Sequence, residues 1–182
     1  FAQPPVQRCY YEMIRPYMPT KLYFDLDGKC TSEEMDGIQE RLIEHVNHKL
    51  ADLYDVVVGP DDVLPLHSDG SSANGEHKAS RHLIWQVYFE NVAHVKAFVE
   101  QHVLPDVPET VDKGVYTKNR CFRLFGNHKN GSDRVLTSGR SNGSNVQRKE
   151  IFDQSHTTAV REPPAKRRRV APVPVEGAEL LL

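Results

Sequence analysis

The sequence predicts an α+β domain followed by a disordered tail. Three observations lead there: apolar stretches that alternate every second residue, two stretches that repeat every three to four residues, and a change of composition beyond Gly126. The 182 residues amount to one ordinary domain with a tail, enough to bury a core.

Phe1–Gln7 is Pro-rich and irregular, and Cys9–Ile14 reads as a strand that Pro16 and Pro19 interrupt. Lys21–Asp27 (KLYFDLD) is the next strand. Thr31 then opens a helix with Glu34 three residues on, a capping box. Met35, Ile38, Leu42, Val46, Leu50 and Leu53 recur at steps of three and four, so this helix is core scaffold, with His45 and His48 on its flank or solvent face. Tyr54–Gly59 and Asp61–Leu66 look like short extended pieces, and His67–Glu76 is a polar loop. Ser80–Phe89 is a strand with Leu83, Trp85, Val87 and Phe89 on one face and His82, Ile84, Gln86 and Tyr88 on the other. Asn91 caps a second helix carrying Val92, Val95, Phe98 and Val99, which Pro105 and Pro108 end. Val115–Phe125 is a strand with a turn near Asn119. Residues 131–182, poor in aromatics and holding a basic run, read as a disordered tail.

Charge narrows the function classes. The formal net charge of −2 argues against a general polyanion binder, yet its distribution is uneven. Residues 1–130 carry 14 Lys/Arg against 19 Asp/Glu, and residues 131–182 carry 9 against 6. Cys9, Cys30 and Cys121 are scattered and odd in number, which fits a reducing compartment rather than a disulfide framework or zinc knuckle. No run approaches the ~20 apolar residues of a membrane span, and no signal peptide is visible.

The chemistry centres on Asp25 and Asp27. A strand repeats every two residues, so both project from one face, their backbones roughly 6.6 Å apart. Two such carboxylates can lean onto one divalent cation or two. By itself the pair also fits an ordinary turn, Asp27-Gly28 being a common turn dipeptide. Lys78, Ser80 and His82 share a face in the same way, setting an ammonium, a hydroxyl and an imidazole in a row suited to phosphate oxygens. A polar strand edge would look similar. Asp112 then precedes Lys113, Lys118, Arg120, Arg123 and Lys129, five cations without an intervening acid. They form a positive strip that suits phosphates or simply a solvated strand. Together the pieces imply a metal-dependent nucleotide or nucleic-acid site.

KLYFDLD, KASRHLIWQ and VDKGVYTKNRCFRLF resemble, in order, the three motifs of archaeo-eukaryotic primases, nearest to the eukaryotic primase-polymerase branch. The resemblance covers about Arg8–Lys129. It implies a primase-type catalytic core, a mixed sheet flanked by helices, and nucleotidyl transfer from a dNTP to a primer 3′-hydroxyl in replication and DNA damage tolerance. Asp25, Asp27 and Asp112 would be the ligands of Mg²⁺ or Mn²⁺. His82 and Ser80, with Lys78 beside them, would contact the triphosphate, as would Arg123 and Lys129; Arg120 would contact nucleotide or template. The implied partners are single-stranded DNA template and primer and a dNTP or NTP, with no membrane. Asp27 replaces the Glu usual in this branch, where archaeal-type relatives tolerate Asp, and Cys121 stands where Asn is usual. The N-terminal helical module would precede Phe1, and no counterpart of the Cys/His zinc element follows Cys121, so no zinc site is visible. Extension is therefore the expected activity ahead of de novo priming. The alternatives are an inactive or truncated module that binds single strands or nucleotide, and a nuclease using the same carboxylates. The cluster Lys166–Arg169 resembles a nuclear import signal, giving the tail an import receptor, or a single-strand-binding protein, as partner. A mitochondrial location stays open.

Overall fold

A computed structural model describes residues 8–71, 75–107, 110–138 and 145–158 of the chain. The strands are β1 (Tyr11–Ile14), β2 (Thr20–Gly28), β3 (Val63–His67), β4 (Gly70–Ser71), β5 (His77–Phe89) and β6 (Arg120–Arg123). The helices are α1 (Ser32–Tyr54), α2 (Val92–Phe98) and α3 (Asn145–Gln154). The α+β class and the helix-flanked sheet are as expected, but every ladder between these strands is antiparallel rather than mixed. β5 is the central strand, with β2 on one side and β3 on the other, β4 extends its start, and β1 pairs with β6 in a separate ribbon.

α1 begins where the capping box places it. Thr31 Oγ1 accepts from the Glu34 N–H at 3.2 Å, and Glu34 Oε2 accepts from the Thr31 N–H at 2.8 Å. Met35, Leu42, Val46 and Leu50 are buried as the stripe requires. The helix outruns the expected boundary, absorbing Tyr54 where a strand was expected. The Tyr54 ring packs against Phe89 and Phe98, with centroids 5.7 and 5.8 Å apart, which ties the helix end into the core. Asp55 then stops it in the left-handed conformation (φ 54°), which Asp tolerates better than most residues.

β5 is covered on both faces. Trp85 lies on the α1 side, its Nε1 donating to Asn47 Oδ1 at 2.8 Å and its ring meeting Phe24 edge-on at 5.4 Å. On the opposite face Ser80, His82, Ile84 and Tyr88 are buried too, and Lys78 and Gln86 are partly open. Asn91 caps α2 through the N–H groups of Ala93 and His94, and the chain continues through a wider turn at Val99–Val103. The expected long strand over Val115–Phe125 shrinks to the four residues of β6. Residues 113–115 form a tight helical turn, and Asn119 at φ 55° reverses the chain before Arg120.

The disordered tail expected from residue 131 onward is corrected for 131–138 and 145–158. Leu136 and Ile151 enter the core, and Ser155 and Thr157 are fully buried. Low aromatic content hid this, because the segment is held largely by polar contacts. The buried Glu12 carboxylate accepts from both the N–H and the hydroxyl of Thr157 and of Thr158. Lys21 N–H donates to Thr157 O at 2.7 Å, and Lys21 Nζ to Gln154 O at 2.8 Å. The Lys166–Arg169 cluster lies outside the described residues. Replacing Glu12 with Ala strands these buried donors and should lower the unfolding free energy by about 2–4 kcal/mol in denaturant titration. A change below about 0.5 kcal/mol would mean the clasp holds nothing.

Candidate functional site

The site is assembled by register. β2 and β5 pair so that Asp25 stands opposite His82 and Asp27 opposite Ser80. The two motifs, each with a two-residue repeat, therefore share one face and meet side by side. Lys78 reaches diagonally to Asp27, Nζ to Oδ2 at 2.8 Å. The free edge of β2 takes the third motif: Asp27 N–H donates to Thr110 O at 3.0 Å, and Asp112 N–H to Asp25 O at 2.9 Å. Two buried tyrosines lock this contact. Tyr23 hydroxyl donates to Val115 O at 2.8 Å, and Tyr116 hydroxyl donates to Tyr23 O at 2.9 Å. Asp112 is thus held beside the other two aspartates although 85 or more positions separate them in sequence.

A cleft of about 160 Å³ opens on this face. Asp25, Asp27, Lys78, Ser80, His82, Arg120, Arg123 and Lys129 all line it, so eight of the nine residues singled out from sequence converge. Asp112 is not in the lining. Its Oδ1 accepts from the Gly114 N–H at 2.7 Å, and its Oδ2 lies 3.8 Å from Arg120 Nη2. Tyr11, Ser68 and Arg134 also line the cleft and were not picked out from sequence. Ser68 sits in a polar loop and Arg134 beyond the composition change, so neither carries a local signal. Tyr11, within the Cys9–Ile14 strand, shows its place only through the pairing of β1 with β6.

Electrostatics distinguish the groups. Burial, then the Asp27 and Asp112 carboxylates, push Asp25 up to about 7. His82 is pushed down to about 3 by burial and by the Arg123 charge, so the imidazole is neutral. Its ring stacks on Phe122 at 4.3 Å, and its Nε2 lies 3.6 Å from Asp25 Oδ1. Burial, aided by the nearby Arg134 charge, lowers Arg123. Between Ser80 and His82, Arg81 turns away from the cleft and is fully buried. Its Nε and Nη2 donate to Asp36 Oδ1 at 3.1 and 2.9 Å, and its Nη1 pairs with Asp69. Asp69 also accepts from Ser80 N–H at 3.0 Å, so this ion-pair network fixes the backbone carrying the Ser80 hydroxyl.

The three aspartates supply hard oxygen donors of the type that suits Mg²⁺ or Mn²⁺. Asp25 Oδ1, 3.6 Å from His82 Nε2, is buried without a hydrogen-bond partner, an orphaned acceptor of the kind a bound cation satisfies. With Asp27 held by Lys78 and Asp112 by Gly114, no three His, Cys, Asp or Glu side chains among the described residues are already drawn around one point. The donor set fits a divalent ion, provided Asp27 exchanges Lys78 for it.

No protein-family model matches the chain. The putative helicase/primase complex protein of African swine fever virus (strain Badajoz 1971 Vero-adapted) is 27% identical over 187 residues, covering 86% of this chain and 17% of that protein. The DNA-directed primase/polymerase protein of Danio rerio is 28% identical over 183 residues, 72% of this chain and 34% of that protein. Its Bos taurus counterpart is 39% identical over 101 residues, 52% of this chain and 17% of that protein. The chain therefore spans about a third or less of the length of these curated relatives. It is homologous to both groups, eukaryotic DNA-directed primase/polymerases and viral helicase/primase proteins, consistent with an archaeo-eukaryotic primase relationship.

Asp25 generates a pH prediction. Its folded value near 7 exceeds the ordinary 3.8, so the folded state holds this proton more tightly than the unfolded one. Its contribution to stability is complete below about 4 and declines as pH rises toward 7, by up to about 1.4 kcal/mol per pH unit. Asp25→Asn removes that loss. In metal-free buffer its melting temperature should exceed the wild type's by several degrees at pH 8 and converge with it near pH 4. Parallel melting curves across that range would refute the assignment.

Proposed function

We propose that the chain is the catalytic portion of a DNA-directed primase-polymerase, transferring a nucleotide from a dNTP to a primer 3′-hydroxyl. The observation that carries this reading is the convergence of Asp25 and Asp27 with Lys78, Ser80, His82, Arg123 and Lys129 on one cleft, with the backbone of Asp112 hydrogen-bonded alongside Asp25. The relatives' names support the same class. In the transfer, the 3′-hydroxyl releases its proton to solvent water as its oxygen bonds to the α-phosphorus, the bond from that phosphorus to the bridging oxygen breaks, and pyrophosphate leaves with that electron pair. A bound Mg²⁺ or Mn²⁺ would lower the charge repulsion between the attacking oxygen and the phosphates.

The protein's own part is positioning. Lys78, Arg123 and Lys129 offer cationic donors to the triphosphate, and Ser80 a hydroxyl. A neutral His82 can donate a hydrogen bond to phosphate without adding charge. Single-stranded template and primer belong to the same proposal, as do a role in replication and damage tolerance and a nuclear location.

The Asp27–Lys78 ion pair favours a second reading, a module that binds nucleotide or single strands without turnover, since the pair occupies one of the metal-facing carboxylates. Primer extension with Mn²⁺ and dNTPs separates the two. Asp25→Ala, Asp27→Ala and Asp112→Ala should each reduce incorporation by about 100-fold or more while melting cooperatively. Extension at wild-type rate in all three would overturn the carboxylate assignment. Nucleotide binding by the wild type without extension on any primed template would establish the binding module.

A further inference from the structure

The cleft contains one cation more than the three motifs account for. Beyond β6 the chain folds back on itself over residues 126–137. Leu136 N–H donates to Asn127 O at 2.9 Å, Gly126 N–H to Leu136 O at 2.8 Å, and His128 bridges Val135. Gly131, at φ 77°, sits in the turn between the arms. Lys129 stands on the outgoing arm and Arg134 on the returning one, and both line the cleft. The returning arm is pinned to β3, because Thr137 and His67 exchange backbone hydrogen bonds at 2.9 and 2.7 Å.

Arg134 is seated with some care. Its carbonyl accepts from Arg123 Nη1 at 3.3 Å and from Ser68 Oγ at 3.5 Å. Its aliphatic stem lies directly on Gly70, where a β-carbon would come within 2.7 Å of Arg134 Cδ. Gly70 itself has a φ of 157°, so a side chain there is excluded by strain as well as by space. With the stem so held, Nη1 is buried and has no hydrogen-bond partner. Nor is there an ion pair from any described acid, while the Arg123 guanidinium lies close enough for the two charges to repel. A buried guanidinium N–H without an acceptor is costly, and two neighbouring guanidiniums more so. The cleft acids do not relieve it: Asp27 is engaged by Lys78, and Asp25 faces His82. No described residue supplies the acceptor, and a guanidinium fork beside a second guanidinium and an ammonium matches phosphate oxygens.

Resting on the nucleotidyl-transfer reading, we infer that Arg134 is a further binding residue for the phosphate tail of the incoming nucleoside triphosphate, acting with Arg123 and Lys129. A strand phosphate would offer the same oxygens, and the test separates the two sources. Fluorescence anisotropy on the full chain with Mn²⁺ compares a labelled dNTP, the corresponding dNMP and a labelled primed template. Arg134→Gln should weaken dNTP binding about 10-fold or more and leave dNMP and template within about twofold. Arg134→Lys, which keeps stem and charge but loses the fork, should weaken dNTP binding about threefold, and it carries the test should the Gln variant not melt cooperatively. Unchanged dNTP affinity in a folded variant would overturn the role of Arg134 alone. Equal loss for template and dNTP would assign the guanidinium to the strand instead. Failure of the wild type to bind dNTP would remove the underlying reading, and this inference with it.

Discussion

The site depends on the pairing register of β2 with β5. Because side chains alternate, a slip of one residue would turn Asp25 and Asp27 into the core and bring Phe24 and Leu26 into the cleft. That slip is opposed by burial on both faces: Phe24 and Trp85 pack on the α1 side, Tyr23 and Phe122 on the other, with ring centroids 4.9 Å apart. The ladder is irregular between Lys21 and Tyr23, two residues before the first carboxylate. A bulge there takes up the strand mismatch and leaves the pairing continuous from Tyr23 to Gly28, across the functional residues.

That register gathers charges at a cost. Asp25 is raised because burial and two neighbouring carboxylates disfavour its ionised form, and Arg123 is lowered because burial and Arg134 disfavour its cation. The two signs are not simply cancelled against each other. Lys78 satisfies Asp27, whereas Asp25 Oδ1 and Arg134 Nη1 are both left without partners. Such unsatisfied groups are tolerated because the scaffold around them is satisfied elsewhere: Arg81 is fully paired with Asp36 and Asp69, and the Tyr23 and Tyr116 hydroxyls each reach a carbonyl. Three of the described buried atoms without partners, on Asp25, His82 and Arg134, belong to cleft residues, while others such as Gln39 Oε1 on α1 lie away from it.

Much of this was legible in the sequence because it is periodic. The two-residue spacing of Asp25 with Asp27, and of Lys78, Ser80 and His82, fixes which side chains share a face whatever the strand pairs with. The helix of Met35, Leu42 and Val46 likewise announces itself. Pairing is a non-local property, and here the reading stopped: that Asp112 belongs with the other two aspartates came only from the motif resemblance, and its backbone docking onto β2 had no signal in the sequence. The residues missed are those whose role lies in tertiary contact. Arg134 belongs to a hairpin in a stretch of Gly, Ser and Asn that reads as loop, and Thr157 and Thr158 matter because Glu12 lies opposite. Tyr54 was misassigned because its local context is β-prone while its ring is claimed by Phe89 and Phe98.

The Glu12 clasp joins residues 145 or more positions apart in sequence. A chain emerging from the ribosome can form α1 early and pair β2 with β5 and β1 with β6 once residue 123 is out, but Glu12 and the edge at Thr20 stay open until residue 158 has cleared the exit tunnel. Until then the Glu12 carboxylate is solvated and the apolar seat of Ile151 is bare. Folding of the described domain is thus closed by the segment that ends at residue 158, and a nascent chain stalled at the composition change near residue 130 would present a sheet edge open to misassembly.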